Sequence, residues 1–385
     1  MNKLFKNSLI IFILFLILSC GEKSSDSALS SNLEITYEID TVMVDAGDHF
    51  FFVQFGLSMS DVDKARKLFY NFNSQEMTME IIDLENLNLK ELRQYEKEGP
   101  NGIGGGFIMR IKVLPDESVL FFDFAGIHHV APNGDKIATY KIEEMDWEGD
   151  ELSEKQLINI PSLDTKDGNY FYGQYGTQGI EGKTAGLVQI DLSKNTLKLF
   201  PSDFLDFSNA YDISFDMGGG RSAKIPEQNL VRLVNDEVVI ITSAKNSLWR
   251  WDLEGDSLIN HSYQSQFTSN SKKGNFPMTV GSNDELRAAM KEKSKEVIFG
   301  PLTEDSEQNV LWRYHKEMDR LTAGDTIIFK SILTAFNTDF RQLAESKMPE
   351  KFKLSDPVFY LDGMLWQFLN IDDEVALVRV KPTLK

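Results

Sequence analysis

The sequence predicts an all-β fold: a six-bladed β-propeller of four-stranded antiparallel blades, with the N-terminal strand completing the last blade. Three observations carry that expectation. Short runs such as Val119-Leu120-Phe121-Phe122 and Val238-Val239-Ile240-Ile241 are apolar at odd and even positions alike. A strand solvated on one face alternates, so these strands must be covered on both. The gaps between runs hold Asn, Gly, Asp and Pro turns rather than the helical patterns that crossovers of a parallel sheet require, so sheet must cover sheet. Grouped in fours, the runs recur roughly every fifty to seventy residues, the spacing of radially stacked blades.

Taken in chain order, the units begin near His49, Phe107, Leu157, Tyr211, Val297 and Pro357. The first opens on Phe50-Phe51-Phe52-Val53. Turns such as Pro132-Asn133-Gly134-Asp135, Ser193-Lys194-Asn195, Glu254-Gly255-Asp256, Ala323-Gly324-Asp325 and Leu361-Asp362-Gly363 place flexible or left-handed backbone between runs. The last unit supplies residues 357–361, 364–368 and 374–381, then ends one strand short. Residues 33–45 (LEITYEIDTVMVD) are strand-like without a meander of their own, and are expected to complete that unit and remove its open edge. Helix is scarce. Asn283 is placed to cap a helix over 284–294 with Leu286, Ala289, Met290 and Lys293 on one face, residues 60–68 suit a second short helix, and the polar stretch 261–275 reads as an exposed excursion.

With 385 residues, 42% hydrophobic and 26% charged, the chain has ample material for a large core. Asp and Glu number 59 against 40 Lys and Arg, and the formal charge of −19 becomes −21 once Lys3 and Lys6 leave with the leader described next. Such a chain repels nucleic acid, which is excluded as a partner. Its 27 Phe and 11 Tyr against only 5 His make it rich in strand formers and poor in general bases.

Residues 1–19 read as a signal peptide. Lys3 and Lys6 precede ten unbroken apolar residues, Leu9 to Leu18. As a helix these rise only ~15 Å, about half a bilayer core, which suits a cleaved leader better than a span. Ile17-Leu18-Ser19-Cys20 resembles the lipobox of bacterial lipoproteins. The resemblance implies cleavage before Cys20 and lipid on its thiol, and two or more acyl chains make a durable membrane anchor. Because Cys20 is the sole cysteine, the exported part has no disulfide, thiolate metal site or cysteine nucleophile. Residues 20–32 are polar and serine-rich and read as a lipidated flexible tether, leaving 33–385 as the propeller domain. Acidic Glu22 and Asp26 after Cys20 are compatible with transfer to an outer membrane, so the expected location is the cell envelope, outer membrane or periplasm-facing.

Adjacent residues on a strand point to opposite faces, so His128-His129 cannot both ligate one ion without a bulge and a structural role is expected. No HExxH, GxSxG, Walker or EF-hand pattern occurs. Gly104-Gly105-Gly106 and Gly218-Gly219-Gly220-Arg221 lack phosphate-loop spacing and read as turns. The acidic cluster Asp146, Glu148, Asp150 and Glu151 reads as a solvated loop rather than a calcium site, and no cofactor or metal is expected. The pairs Leu248-Trp249, Leu311-Trp312 and Leu365-Trp366 read mostly as core between blades. Arg110, Arg221 and Arg313 lie in or near runs expected to approach the axis, where a guanidinium needs a carboxylate or a ligand. With Asp123 as a possible partner, these four are the candidate ligand-binding residues.

The segment Glu98-Gly99-Pro100-Asn101-Gly102, following Ile82-Asp83 and the strand-like residues 89–95, together with Val297-Ile298-Phe299-Gly300-Pro301-Leu302 and Leu311-Trp312-Arg313-Tyr314, resembles a family of Gram-negative exported lipoproteins of unknown function related to six-bladed, TolB-like and NHL-repeat propellers. The resemblance spans residues 33–381. Wider relatives show Gly-Pro-Gly-Glu where this chain has Gly99-Pro100-Asn101-Gly102, so no ligand site carries over. The expected function is a non-catalytic module binding a protein or carbohydrate ligand at the envelope. The alternative is an enzyme acting on glycans or another polymer, with acid and base drawn from separate blades.

Overall fold

A strand that is apolar at every position can be buried only between two sheets, and the computed structural model shows which two. It describes residues 33–385, apart from 105, 106, 180 and 373, together with the backbone of 25 and 26. The leader 1–19, Cys20 and the tether other than the backbone of 25 and 26 lie outside the described residues, as do two glycines of Gly104-Gly105-Gly106. Among the described residues five sheets contain a four-stranded antiparallel meander whose strands pair in sequence order, and a sixth has three such strands plus one from the start of the chain. The first is Ser60–Asp63, Leu68–Asn73, Thr78–Asp83 and Asn88–Gln94. The second is Arg110–Val113, Val119–Phe122, Ile127–Val130 and Lys136–Tyr140. The third is Gln156–Ile158, Tyr170–Thr177, Thr184–Asp191 and Thr196–Pro201. The fourth is Asn229–Val234, Glu237–Thr242, Ser247–Asp252 and Ser257–Ser262, and the fifth Ile298–Asp305, Val310–Leu321, Ile327–Asn337 and Gln342–Lys347. The sixth is Val358–Leu361, Met364–Ile371 and Glu374–Leu384, completed by Ile35–Met43.

Neighbouring positions on one strand belong to different cores. On Leu68–Asn73, Leu68, Tyr70 and Phe72 pack with Val119 and Phe121 of the second sheet, whereas Phe69 packs with Phe359 and Trp366 of the sixth. On Val119–Phe122, Leu120 and Phe122 turn the other way, to Phe171 and Val188 of the third sheet. Val238 and Ile240 join Leu187 of the third sheet, while Val239 and Ile241 join Leu311 and Phe336 of the fifth. Trp312 then packs with Leu365, Val378 and Val380 of the sixth. The six clusters therefore close a ring from the first sheet back to the first, which is the propeller arrangement. Each fully buried Leu, Val, Ile or Phe contributes about 1.5–3 kcal/mol, so the apolar runs on both parities are the principal source of stability. Trp249, Trp312 and Trp366 all lie in these clusters.

The N-terminal strand closes the ring as expected. Ile35–Met43 pairs antiparallel with Glu374–Leu384, from Ile35 opposite Leu384 to Met43 opposite Ala376, and Arg379 Nε lies 2.9 Å from Asp40 Oδ1. Turn chemistry sets the meanders. Gly134, Asn195, Asp256, Asp325, Asp362 and Gly363 all have positive φ in the turns the sequence marks. In the first sheet, Lys67, Met77 and Leu87 take that role without glycine. Asp or Asn at strand ends holds these turns: Asp83 Oδ1 accepts the N–H groups of Glu85 and Asn86, at 2.8 and 2.9 Å.

Several expected boundaries are corrected. Residues 60–68 are not helical; Ser60–Asp63 is the innermost strand of the first sheet, followed by a turn. The run Phe50-Phe51-Phe52-Val53 is not a strand, because its polar partners come from a side chain. Glu80, fully buried, accepts from the Phe52 N–H at 2.9 Å and lies 2.7 Å from His49 Nε2, while Asn71 Nδ2 donates to Phe52 O and to Glu80 Oε2 at 2.9 and 2.6 Å. The fourth meander begins at Asn229 rather than near Tyr211. Ile213–Gly218 and Arg221–Ile225 form a hairpin turned by Gly218, Gly219 and Gly220, all left-handed, and Thr279–Val280 joins it in parallel. The helix runs Asn283–Lys295 and is capped by Ser282, whose Oγ accepts from Glu285 N at 3.2 Å, rather than by Asn283. Its Ala289 packs with Ile213, Phe276 and Val280 against that small sheet. The excursion starts after Ser257–Ser262, which is a strand.

Candidate functional site

The turns that follow the innermost strands bring all six meanders to one cavity. It has a volume of about 920 Å³ and takes Asp61 from the first sheet, Lys112 from the second, Asp164 and Thr165 beside the third, Leu233 from the fourth, Glu304 from the fifth and Val358 from the sixth. A cavity of this size suits a small molecule or a partner's loop. We call it the axial cavity.

Asp164 is the hub of its charge. Residues 160–162 form a single 3-10 turn, and Asp164 then bridges Tyr172, so the carboxylate enters the centre. Arg110 Nη2 lies 3.2 Å from its Oδ1, and the Leu233 N–H donates to Oδ2 at 3.0 Å. Burial pushes the Asp164 carboxyl up, but Arg110, Arg232 and Lys112 together hold it below the ordinary carboxylate range. Burial, followed by the like charge of Arg110, lowers Arg232 to about 10. Arg232 donates from Nη1 to its neighbour's carbonyl, Val231 O, at 2.7 Å, and no carboxylate among the described residues lies within ion-pairing distance of it. Arg110 also rests 4.7 Å from the Phe122 ring centroid, and its Nη1 has no partner among the described residues.

Nearer the mouth, Asp61 Oδ2 accepts from Val113 N at 2.8 Å and lies 3.5 Å from Lys112 Nζ. Arg66 is held by Asp63 and Glu117, and Lys166 by Asp236. Lys64 is exposed at the cavity and makes no hydrogen bond or ion pair among the described residues; the protein around its ammonium lowers it by desolvation, with Glu304 opposing the shift. The lining carries five carboxylates, Asp61, Asp63, Asp164, Asp236 and Glu304, against four cations, Lys64, Arg66, Lys112 and Lys166, and Arg110 and Arg232 act on Asp164 in addition, so in a chain carrying −19 the charge here is nearly balanced.

Of the residues singled out from the sequence, only Arg110 reaches this centre, and its carboxylate is Asp164 rather than Asp123. Asp123 is instead a turn former: its Oδ1 accepts the N–H groups of Ala125 and Gly126 at 2.8 and 2.7 Å, and its Oδ2 lies 3.3 Å from His128 Nε2. His129 faces the other way, its Nε2 2.8 Å from Ser118 Oγ. Arg221 is exposed on the small hairpin, away from the axis. Arg313 is buried between the fourth and fifth sheets, with Tyr263, Phe299 and Phe336 rings 5.4, 5.2 and 4.9 Å from its guanidinium carbon and Asn246 Oδ1 accepting from Nη2. Burial lowers it to about 10, so it is a core residue rather than an axial one. Asp150, in the acidic cluster, accepts from Leu199 N at 2.8 Å and so fixes a loop. Among the described residues no group of three or more His, Cys, Asp or Glu is arranged to hold a metal.

The fold and its axial cavity define a propeller-type protein. The chain belongs to the family described as Domain of unknown function (DUF4221), which matches residues 30–347. It is similar to the crystal structure of a DUF4221 family member from Bacteroides vulgatus ATCC 8482, at 15% identity and a TM-score of 0.62, over 92% of this chain and 98% of that one. It is also similar to BF0058 from Bacteroides fragilis NCTC 9343, provisionally described as an exported protein, at 9% identity and a TM-score of 0.46, over 90% and 95% of the two chains. No curated protein matches the sequence. Among the described residues no helix is long and apolar enough to cross a membrane.

Proposed function

We propose that this chain is a six-bladed propeller, lipid-anchored through Cys20 at the cell envelope, that binds rather than transforms its ligand, holding the anionic group of a small carboxylate-bearing molecule in the axial cavity. The observation that supports this reading is the convergence of six sheets on one cavity where Asp164 and Asp61 are shared among Arg110, Arg232 and Lys112 while Lys64 stays unpaired. Binding is favoured over acid-base chemistry because Asp164 is held ionised by its cations, which suits neither a general acid nor a general base near neutrality.

Titration of the purified protein with succinate, citrate and inorganic phosphate tests the reading. At least one is expected to bind with an affinity that falls as salt rises, and Lys64→Ala is expected to weaken it by about tenfold, the worth of one charge-assisted contact. Binding of none of the three, or binding indifferent to Lys64→Ala, overturns the assignment. The anchor has its own test. Cys20→Ser is expected to abolish labelling by radioactive palmitate in a Gram-negative host, and label persisting in that variant rejects lipidation at Cys20.

A further inference from the structure

A second cavity lies at the other end of the inner strands. Asn229 opens the strand Asn229–Val234 and lines this cleft, whereas Leu233 near its end lines the axial cavity. The cleft has a volume of about 690 Å³ and lies among the second, third and fourth sheets. Its chemistry is different. Six primary amides line it: Asn159, Gln174, Gln178, Asn209, Gln228 and Asn229. A primary amide both donates and accepts, as does each hydroxyl of a sugar, so such a lining matches a polyhydroxylated surface better than a charged one.

The charges of the cleft, Lys183 at its rim excepted, are answered within the protein. Asp212 Oδ2 lies 2.7 Å from Lys224 Nζ, which also donates to Gly182 O at 2.8 Å. Glu227 meets Lys272 and Lys293 at 3.2 and 2.8 Å. Lys183 at the rim is exposed and makes no ion pair among the described residues. Asn229 donates from Nδ2 to Ser208 Oγ at 3.0 Å, and its amide oxygen is left without a partner.

An aromatic platform completes the site. Phe124 is 66% exposed and lines the cleft from the second sheet. It sits in the turn that Asp123 fixes through the N–H groups of Ala125 and Gly126. The apolar C–H face of a sugar ring is the complement of such a ring, since stacking covers apolar area while the hydroxyl edge stays hydrogen-bonded. We infer that this cleft binds a short neutral oligosaccharide, with Phe124 as the stacking platform, the amides as the hydroxyl readers and Asp123 as a positioning residue for Phe124. The site stands apart from the axial cavity and does not depend on the anion-binding reading.

Calorimetric titration of the purified protein with maltotriose, cellotriose, mannotriose and trigalacturonate tests it. One neutral trisaccharide is expected to bind with an affinity unchanged between about 50 and about 500 mM salt, because no net charge is engaged. Phe124→Ala is expected to weaken it by about tenfold without altering thermal unfolding, since the removed ring is an exposed stacking surface. Asp123→Ala weakens it similarly, and Asp123→Asn, whose amide oxygen still accepts both N–H groups, restores it. Lys64→Ala leaves it untouched, which separates this site from the axial one. Preference for trigalacturonate, failure of all three neutral sugars to bind, or indifference to Phe124→Ala overturns the inference.

Discussion

A chain lacking residues 33–44 is expected to lose cooperative unfolding altogether. The strand Ile35–Met43 lies in register along Glu374–Leu384 over nine residues, and it brings buried apolar groups with it. Ile35 packs with the cluster between the fifth and sixth sheets, and Val44, just past the strand, with the cluster between the sixth and the first. Burial of two such side chains is worth about 1.5–3 kcal/mol each, and the lost cross-strand pairs about 0.2–1 kcal/mol apiece. Together these rival the whole net stability of a domain, about 5–15 kcal/mol. The Asp40–Arg379 ion pair is not the reason: both side chains are partly solvated, and such pairs contribute about 0–1 kcal/mol. Urea titration followed by Trp fluorescence decides the matter. A truncated chain that still melts in one transition, within about 1 kcal/mol of its parent, shows that the ring does not need its clasp.

This closure was legible because it follows from counting. The last unit lacks a strand, and the strand-like residues 33–45 have no meander of their own, so the two deficits cancel. The double parity of Leu68–Asn73 or Val238-Val239-Ile240-Ile241 was legible for a related reason, since only burial on two faces tolerates it. Boundaries were less so. Phe50-Phe51-Phe52-Val53 has strand composition, yet buried Glu80 satisfies its backbone in place of a ladder. The turns at Lys67, Met77 and Leu87 carry no glycine, and what holds them is the Asx geometry of Asp63, Asn73 and Asp83.

The site divides in the same way. A charge within an apolar run marks Arg110, and the same signal marks Arg232 in Leu230-Val231-Arg232-Leu233-Val234. Arg313 carries the signal as well, but its pocket of three aromatic rings lies between sheets, a distinction no local pattern contains. Asp164 had no signal at all: a one-turn interruption at 160–162 redirects the chain, and only the tertiary fold brings Arg110 and Arg232 to it. The amides of the second cleft are scattered from Asn159 to Asn229 and gain meaning only where three sheets meet.

Glu227→Gln is expected to cost about 3–5 kcal/mol, the penalty for removing one partner of a buried ion cluster. Glu227, Lys272 and Lys293 are all buried, and the carboxylate stands between the two ammonium groups while accepting from Ser243 Oγ. Lys293 belongs to the helix Asn283–Lys295 and also donates to Tyr211 O at 2.6 Å, so this triad fastens the helix and the small sheet to the fourth meander. Glutamine keeps the shape and removes only the negative charge, leaving two buried cations without an answer. Burial already lowers Lys272, and Glu227 is the first charge that opposes the shift. In the variant Lys272 falls further, so between its folded value and that of the unfolded chain the unfolded state binds the extra proton. Stability then rises with pH across that interval, and the deficit against the parent should narrow as the medium is taken from neutrality toward the ordinary lysine range. Urea titrations at several pH values measure this directly. Adding Lys293→Met to Glu227→Gln should recover part of the loss, because one of the stranded charges is gone. A deficit that is constant with pH and unrelieved by Lys293→Met would mean that Glu227 matters for its packing, not its charge.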